Sequence, residues 1–245
     1  MMDVPAEKRE QGLILTLIDK YQLASQPFIE IGCGDGYNLR VFQKKGMTGI
    51  GIDASAEAIQ KAKEKNLPGI RLVHADATKV SLKKSGILFL LNVLEHVEHD
   101  GEFLKKIHKL LKREGYLFLA VPAHSKAYGY ADKNAGHYRR YDKQQLCHLL
   151  QETGFQVEEM FSVGFPVCNF YTWVFNTYCK FRGDNQFDQK KTYVSGIEGQ
   201  PGYYPPVFQI ASKVLFPIFS ILIKIDALFL KTDLGNNYVV MARKD

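Results

Sequence analysis

The sequence predicts an α/β fold in which a largely parallel sheet is covered by helices on both faces. Five short apolar segments alternate with segments whose apolar residues recur at helical spacing. This alternation is typical of right-handed βαβ units around a buried parallel sheet. A glycine-rich segment, FIEIGCGDG, follows the first apolar segment. Because glycine serves where the backbone is unusual or a ligand comes close, this segment predicts a cofactor loop.

The elements follow in order from hydrophobic periodicity. A helix is predicted over residues 6–23, where Leu13, Ile14, Leu17, Ile18 and Tyr21 share one face. Strands are predicted at 28–31, 49–53, 70–75, 86–91 and 115–121, with helices at 38–45, 55–65 and 100–113 between them. A helix at 142–153 and strands at 155–163 and 237–242 complete the sheet. Ser55 is expected to cap the helix that it starts.

Composition narrows the class of protein. The chain has 245 residues, and 32 Lys and Arg against 26 Asp and Glu give a net charge of +6. This modest excess is spread along the chain, so no nucleic-acid partner is expected. The four cysteines form no CxxC pair, so neither a metal site nor a disulfide framework is predicted. The charged N-terminus lacks the apolar core of a signal peptide, which favours a cytoplasmic setting.

Residues 164–235 are too long for a loop and rich in aromatic residues. We therefore predict a main domain formed by 1–163 plus 236–245 and an inserted helical, aromatic subdomain at 164–235. Polar residues or charges interrupt the apolar segments 160–179 and 207–230, so neither is predicted to span a membrane. The insertion could form a hydrophobic pocket or membrane-surface contact for a lipid-linked acceptor, or an aromatic core, buried in a monomer or a homodimer.

Polar residues stand where the predicted strands end. Glu30, Asp53, Asp76 and Asn92 follow strands one to four, and His124 follows strand five. Ligands of open α/β sheets bind at this carboxyl edge. Each residue also has a structural interpretation, such as tying down a loop or capping a turn. Their joint occurrence at one edge favours a binding site.

The glycine spacing separates two classes of cofactor. A dinucleotide site requires G-x-G-x-x-G, whereas Gly32, Gly34 and Gly36 form G-x-G-x-G. S-adenosylmethionine has a ribose and an adenine but no phosphate, and it needs a tight turn followed by an acid for the ribose. Asp53 lies nineteen residues after Gly34 and suits that role. A nicotinamide oxidoreductase is therefore disfavoured.

The segments EIGCGDG, GIDAS, HADAT and NVLEHV resemble the successive motifs of class I S-adenosylmethionine-dependent methyltransferases, most closely the type 11 small-molecule group, over about residues 27–165. The resemblance implies a Rossmann-like seven-stranded sheet with S-adenosylmethionine as cofactor. It places Glu30, Gly32, Cys33 and Gly34 at the methionine end of the cofactor and Asp53 at the ribose. Ala54, Asp76 and Ala77 would lie near the adenine, and Asn92 would lie beside the sulfonium. Gly86 departs from the acid that usually opens strand four, a change expected to affect packing.

A second segment, ending in H-x-R-R-Y, is similar to type 11 proteins encoded near bacterial polyprenyl-phosphate or cell-envelope sugar enzymes. Arg139 and Arg140 offer planar donors for a carboxylate or phosphate. The walls of the predicted acceptor site are Tyr128, Tyr130 and Tyr141, with His124, His137 and Tyr138. In the alternative interpretation, Arg139 and Arg140 pair with Asp132 or Asp142 and only order a lid.

Methyl transfer requires alignment of acceptor, methyl group and sulfur, and a hydroxyl acceptor also benefits from a base. His96, His124 and His137 are the candidate catalytic residues, although His96 could instead cap a helix. We predict a methyltransferase acting on a small-molecule or lipid-linked acceptor that is acidic or bears a sugar. The alternative is a protein that binds the cofactor without transferring methyl groups, as a sensor or partner subunit.

Overall fold

The computed structural model describes residues 5–182 and 223–245, and its main feature is a seven-stranded sheet. The strands are β1 (Phe28–Ile31), β2 (Gly49–Asp53), β3 (Ile70–His74), β4 (Ser85–Leu91), β5 (Leu111–Pro122), β6 (Phe155–Val163) and β7 (Asn237–Lys244). Their order is β3-β2-β1-β4-β5-β7-β6. All neighbours are parallel except β7, which runs antiparallel to β5 and β6. The predicted Rossmann-like fold is confirmed.

The helices are α1 (Pro5–Lys20), α2 (Tyr37–Lys44), α3 (Ala56–Glu64), α4 (Asp100–His108), α5 (Tyr130–Ala135), α6 (Lys143–Glu152) and α7 (Val167–Arg182). Alternate strand residues face two separate hydrophobic cores, as the pleat requires. One core joins the sheet to α1, α2 and α3, and Phe28 and Phe89 belong to it. The other joins the sheet to α4 and α6, and Ile29 and Leu88 belong to it. Both faces of the sheet are therefore covered.

The register aligns the strand ends that carry the candidate site. Ile31, the last residue of β1, pairs with Ile52 of β2 and Leu90 of β4. The chain segments that follow these strands consequently emerge side by side at one edge. This alignment, together with the reversal of chain order between β1 and β4, produces the crevice in which ligands of such folds bind.

Two local predictions have different outcomes. Ser55 caps α3 as expected, because its hydroxyl oxygen accepts a hydrogen bond from the Ala58 amide at 3.2 Å. The helix predicted over 100–113 is wrong at its end, since α4 stops at His108 and β5 begins at Leu111. Leu111 is buried because it pairs with Ser85 in the sheet. Its helical spacing from the earlier leucines is coincidental.

Residues 183–222 of the predicted insertion lie outside the described residues, so the proposed domain division stays a prediction. Within the described part, α7 packs on α5 through Phe175 and Cys179, against Tyr130 and Ala131. This contact agrees with an aromatic core at the start of the insertion. Among the described helices, none has the length and apolar character needed to cross a membrane.

Candidate functional site

The glycine loop after β1 has a backbone that other residues would adopt only with strain. Gly32, Gly34 and Gly36 have φ angles of +70°, +54° and +81°, in the left-handed region. A Cβ atom on Gly32 would lie 2.4 Å from Cγ2 of Val93, in the segment after β4. The sequence therefore needs glycine here both for conformation and for space.

Asp53, at the end of β2, holds this loop in place. One carboxylate oxygen accepts a hydrogen bond from the Gly34 amide at 2.8 Å, and the other accepts one from the Ser55 amide at 2.8 Å. Asp53 therefore has the structural role that was its alternative interpretation, since it ties down a loop and a turn. Each oxygen retains further acceptor capacity, so the predicted ribose contact is compatible with this anchoring.

Glu30 lies beneath the loop and is 1% exposed. Burial raises its pKa to about 8, against a hydrogen bond with Asn38 that lowers it. Its Oε2 atom has no hydrogen-bond partner. Cys33 is also buried, and burial raises the pKa of its thiol, which makes it a packing residue. Because the pKa of Glu30 is raised to about 8, its carboxyl group is mostly protonated near pH 7.

The predicted adenine side lies at the ends of β2 and β3. Asp76 is exposed and accepts hydrogen bonds from the Thr78 amide at 2.9 Å and hydroxyl at 2.8 Å. Ala54 is exposed and Ala77 is partly buried. Asp76 thus closes a turn, as its structural interpretation required. These small residues leave the edge accessible, and their contact with adenine stays a prediction.

Asn92, at the end of β4, is the centre of a polar cluster that was not predicted. Its φ angle is +55°, and its side-chain amide donates to Glu10 Oε2 at 3.1 Å. Asn237 donates to the other Glu10 oxygen at 2.7 Å. Burial raises the pKa of Glu10 to about 6. Glu10 belongs to α1 and Asn237 to β7, and neither residue stood in a motif that the sequence singled out.

The turn after β4 carries a second buried group of titratable side chains. Glu95 is 1% exposed, and burial raises its pKa to about 7. Burial lowers the pKa of His96 to about 3, and its ring lies 4.7 Å from that of His137. The capping alternative for His96 is wrong, since His99 precedes α4. Glu95 was overlooked as a candidate although it stands in the LEHV motif.

The structure changes the interpretation of the H-x-R-R-Y segment. Arg140 is buried, and its Nε donates to both Asp132 oxygens at 2.8 and 2.9 Å. Arg139 pairs with Asp100 at 2.9 Å and remains 31% exposed. Tyr141 is fully buried, with its hydroxyl 3.0 Å from Asp100. Arg140 therefore takes the structural alternative, and the prediction that Tyr141 lines the acceptor site is wrong because no part of it is accessible.

The remaining predicted acceptor residues lie on the loop after β5 and on α5. The Tyr128 hydroxyl donates to the His137 carbonyl at 2.7 Å, which holds the loop. Tyr130 packs against α7. His124 has a φ angle of +64°, and its ring lies 5.7 Å from that of Tyr238. Of the three predicted catalytic histidines, the structure brings together only His96 and His137.

A family model described as a methyltransferase domain matches residues 7–160, which is more than half of the chain. A ubiquinone biosynthesis O-methyltransferase from Caulobacter vibrioides is 32% identical over 124 residues, covering 46% of this chain and 48% of that protein. The chain thus matches about half the length of this curated relative.

Two solved structures share the fold. An S-adenosylmethionine-dependent methyltransferase from Mesorhizobium loti has a TM-score of 0.55 and 15% identity, covering 90% of this chain and 91% of that one. Magnesium protoporphyrin IX methyltransferase from Synechocystis PCC 6803, with bound S-adenosylhomocysteine, has a TM-score of 0.54 and 17% identity, covering 64% and 75%. With the family match, the glycine loop and its anchoring acid, these results place the chain in the methyltransferase-domain family, with S-adenosylmethionine as its cofactor.

Proposed function

We propose that the protein transfers a methyl group from S-adenosylmethionine to an oxygen atom of a small-molecule or lipid-linked acceptor. The observation that carries this proposal is the left-handed glycine loop, fixed by Asp53, beside the buried polar groups that follow β4. A cofactor lying along the loop would have its reactive end next to these groups.

The residues of the loop supply the proposed cofactor contacts. Glu30, Gly32, Cys33 and Gly34 would surround the methionine end. Asp53 would accept hydrogen bonds from the ribose, with Ala54, Asp76 and Ala77 along the adenine and Asn92 near the sulfonium. The leaving group is already activated, so the main contribution of the protein is to align acceptor, methyl carbon and sulfur. The hydrogen bond from Asn92 to Glu10 would keep the Asn92 side chain in one orientation.

An oxygen acceptor is supported by the relative named as an O-methyltransferase. Of the two arginines that were predicted to meet an acidic acceptor, Arg139 is the one that stays part-exposed, beside Asp100. Phe170 and Trp173 on α7 are 59% and 64% exposed. These aromatic residues support the lipid-linked class, since aromatic side chains suit the boundary between membrane and water.

Cofactor binding is the first test. Isothermal titration with S-adenosylmethionine, S-adenosylhomocysteine and NAD should show binding of the two adenosyl compounds only, and Asp53→Ala should lose it. Asp19→Ala is the matched control, because Asp19 is an exposed carboxylate on α1 that pairs with Lys45. Binding of NAD, or of nothing, would contradict the proposal.

The acceptor class is tested with radiolabelled S-adenosylmethionine and a panel of hydroxylated aromatic compounds, sugar phosphates and polyprenyl-linked sugars. We expect transfer of label to one class, with loss in Asp53→Ala and retention in Asp19→Ala. Cofactor binding without transfer to any member of the panel would favour the alternative, a sensor or partner subunit.

A further inference from the structure

Three side chains with metal-ligating atoms converge beside the proposed methyl-transfer site. Glu95 and His96 follow β4, and His137 follows α5. One ligand atom from each lies within 4.8 Å of the other two. Metal bonds of about 2.0–2.2 Å place ligand atoms about 3–3.5 Å apart, so closure around an ion requires side-chain movement of about 1 Å.

The ring of His137 is oriented by a buried carboxylate. Its Nδ1 lies 2.9 Å from Asp132 Oδ1, and Asp132 also forms the buried ion pair with Arg140. The ion pair with Arg140 identifies Asp132 as a carboxylate, which only accepts hydrogen bonds, so Nδ1 of His137 donates to it and Nε2 is the ring nitrogen available as a ligand. A carboxylate behind a histidine is the usual support of a metal-ligating ring.

The ring of His96 is oriented in the opposite sense. It donates a hydrogen bond to the backbone of Gly136, while its Nδ1 atom is buried and has no partner. The donating nitrogen is therefore Nε2, and the lone pair is on Nδ1. Glu95, at 1% exposure, has an Oε2 atom that likewise has no partner. Buried polar atoms without partners are rare and costly, so their occurrence in adjacent residues requires an explanation.

We propose that Glu95, His96 and His137 bind one divalent transition-metal ion. Two imidazole nitrogens and one carboxylate oxygen suit Zn²⁺, Fe²⁺ or Mn²⁺, whereas Mg²⁺ and Ca²⁺ prefer oxygen ligands only. An ion bound through Glu95 Oε2 and His96 Nδ1 would give both of these atoms a partner. The sequence predicted no metal site because its cysteines have no metal-ligand spacing. That argument does not apply to a site made of one glutamate and two histidines.

Three protein ligands leave a position free for a further ligand, which is the pattern of catalytic rather than structural sites. The His137 side chain is 15% exposed, so the cluster borders solvent. The next step rests on the proposed function: the open position takes the acceptor hydroxyl and lowers its pKa. Its proton passes to water, the oxygen bonds to the methyl carbon, and the carbon–sulfur bond breaks with its electron pair remaining on sulfur.

Metal binding is tested directly, without methyl transfer. Protein freed of metal with a chelator is titrated with Zn²⁺, Mn²⁺ and Mg²⁺, and Co²⁺ is added to record the visible spectrum of its ligand field. We expect one Zn²⁺ per chain and no comparable response to Mg²⁺. Glu95→Gln and His96→Gln should each weaken Zn²⁺ binding at least about 100-fold and alter the Co²⁺ spectrum.

The matched control is His148→Gln, which removes an exposed histidine that faces Glu152 on α6. It should leave stoichiometry and affinity unchanged. Far-ultraviolet circular dichroism shows whether each variant folds. If one ligand variant does not fold, the other still tests the metal site. No binding at one equivalent, an equal response to Mg²⁺, or unchanged affinity in both ligand variants would overturn the proposal.

The outcomes separate this inference from the proposed function. Zn²⁺ binding without methyl transfer to any acceptor would retain the metal site and reject the enzyme. Methyl transfer that is unchanged by chelator, in a protein that binds no Zn²⁺ once the chelator is removed, would retain the enzyme and reject the metal site.

Discussion

Glu30 offers a test of whether the cofactor loop is built over a neutral carboxyl group. Its side chain is buried, and burial raises its pKa to about 8, with Asp53 and Asp35 adding to the effect. Glu30→Gln keeps the shape of the side chain and removes the charge. The expected result is a variant that is more stable than the wild type at high pH and similar to it at low pH.

The magnitude follows from the difference between the folded pKa of about 8 and the ordinary value of 4.5. At about 1.4 kcal/mol for each pH unit, this difference costs the wild type about 5 kcal/mol above pH 8 and about 3 kcal/mol at pH 7. Between pH 4.5 and pH 8 the folded state binds more protons than the unfolded state, which fixes the direction of the pH dependence. Wild-type stability therefore decreases as pH rises through this window, and the variant is spared this contribution.

Urea unfolding of both proteins at pH 5, 7 and 8.5 measures the difference. Glu10 and Glu95 are also buried carboxyl groups, but they are present in both proteins, so the difference between the two isolates Glu30. Glu64→Gln, which removes an exposed carboxylate from α3, is the control and should show no such trend. A difference for Glu30→Gln that stays within about 1 kcal/mol from pH 5 to 8.5 would refute the reasoning.

The other predictions concern the loop and the buried ion pair. Asp53→Asn should weaken S-adenosylmethionine binding at least about 10-fold in calorimetry. The amide of Asn has one acceptor oxygen where the carboxylate has two, so one of the hydrogen bonds from the Gly34 and Ser55 amides is lost. Gly32→Ala should lower the free energy of unfolding by about 2–4 kcal/mol in urea, since its Cβ meets Val93 in a left-handed backbone. Arg140→Met should lower it by about 3–5 kcal/mol, because it leaves Asp132 buried without its main cation.

The two stability changes each have a matched control in the chain. Gly46→Ala has a similar φ angle of +80° but open space around the added atom, so it should cost about 1–2 kcal/mol less than Gly32→Ala. Arg113→Met removes an exposed arginine from β5 and should change stability by no more than about 0.5 kcal/mol. Equal costs within either pair would contradict the structural explanation, as would full cofactor affinity in Asp53→Asn.

The elements of the sheet were predictable because each strand and helix is a continuous segment with its own periodicity. Phe155–Val163 has the predicted bounds, and Phe28–Ile31 does as well. The error at the end of α4 has a physical reason. Helix and strand both bury leucines, and the pairing of Leu111 with Ser85 depends on residues that are distant in sequence. Local spacing contains no information about that choice.

The two halves of the candidate site differ in the same way. The cofactor half is a backbone feature, in which a glycine turn is anchored by the acid that ends the next strand, so a short motif identifies it. The other half, around the turn after β4, depends on side chains that only the tertiary fold brings together. Glu10 reaches Asn92 from a helix at the other end of the chain, and His137 reaches Glu95 from beyond β5. Because these contacts form only on folding, the LEHV motif names Glu95 and His96 but does not reveal that each has a buried atom without a partner.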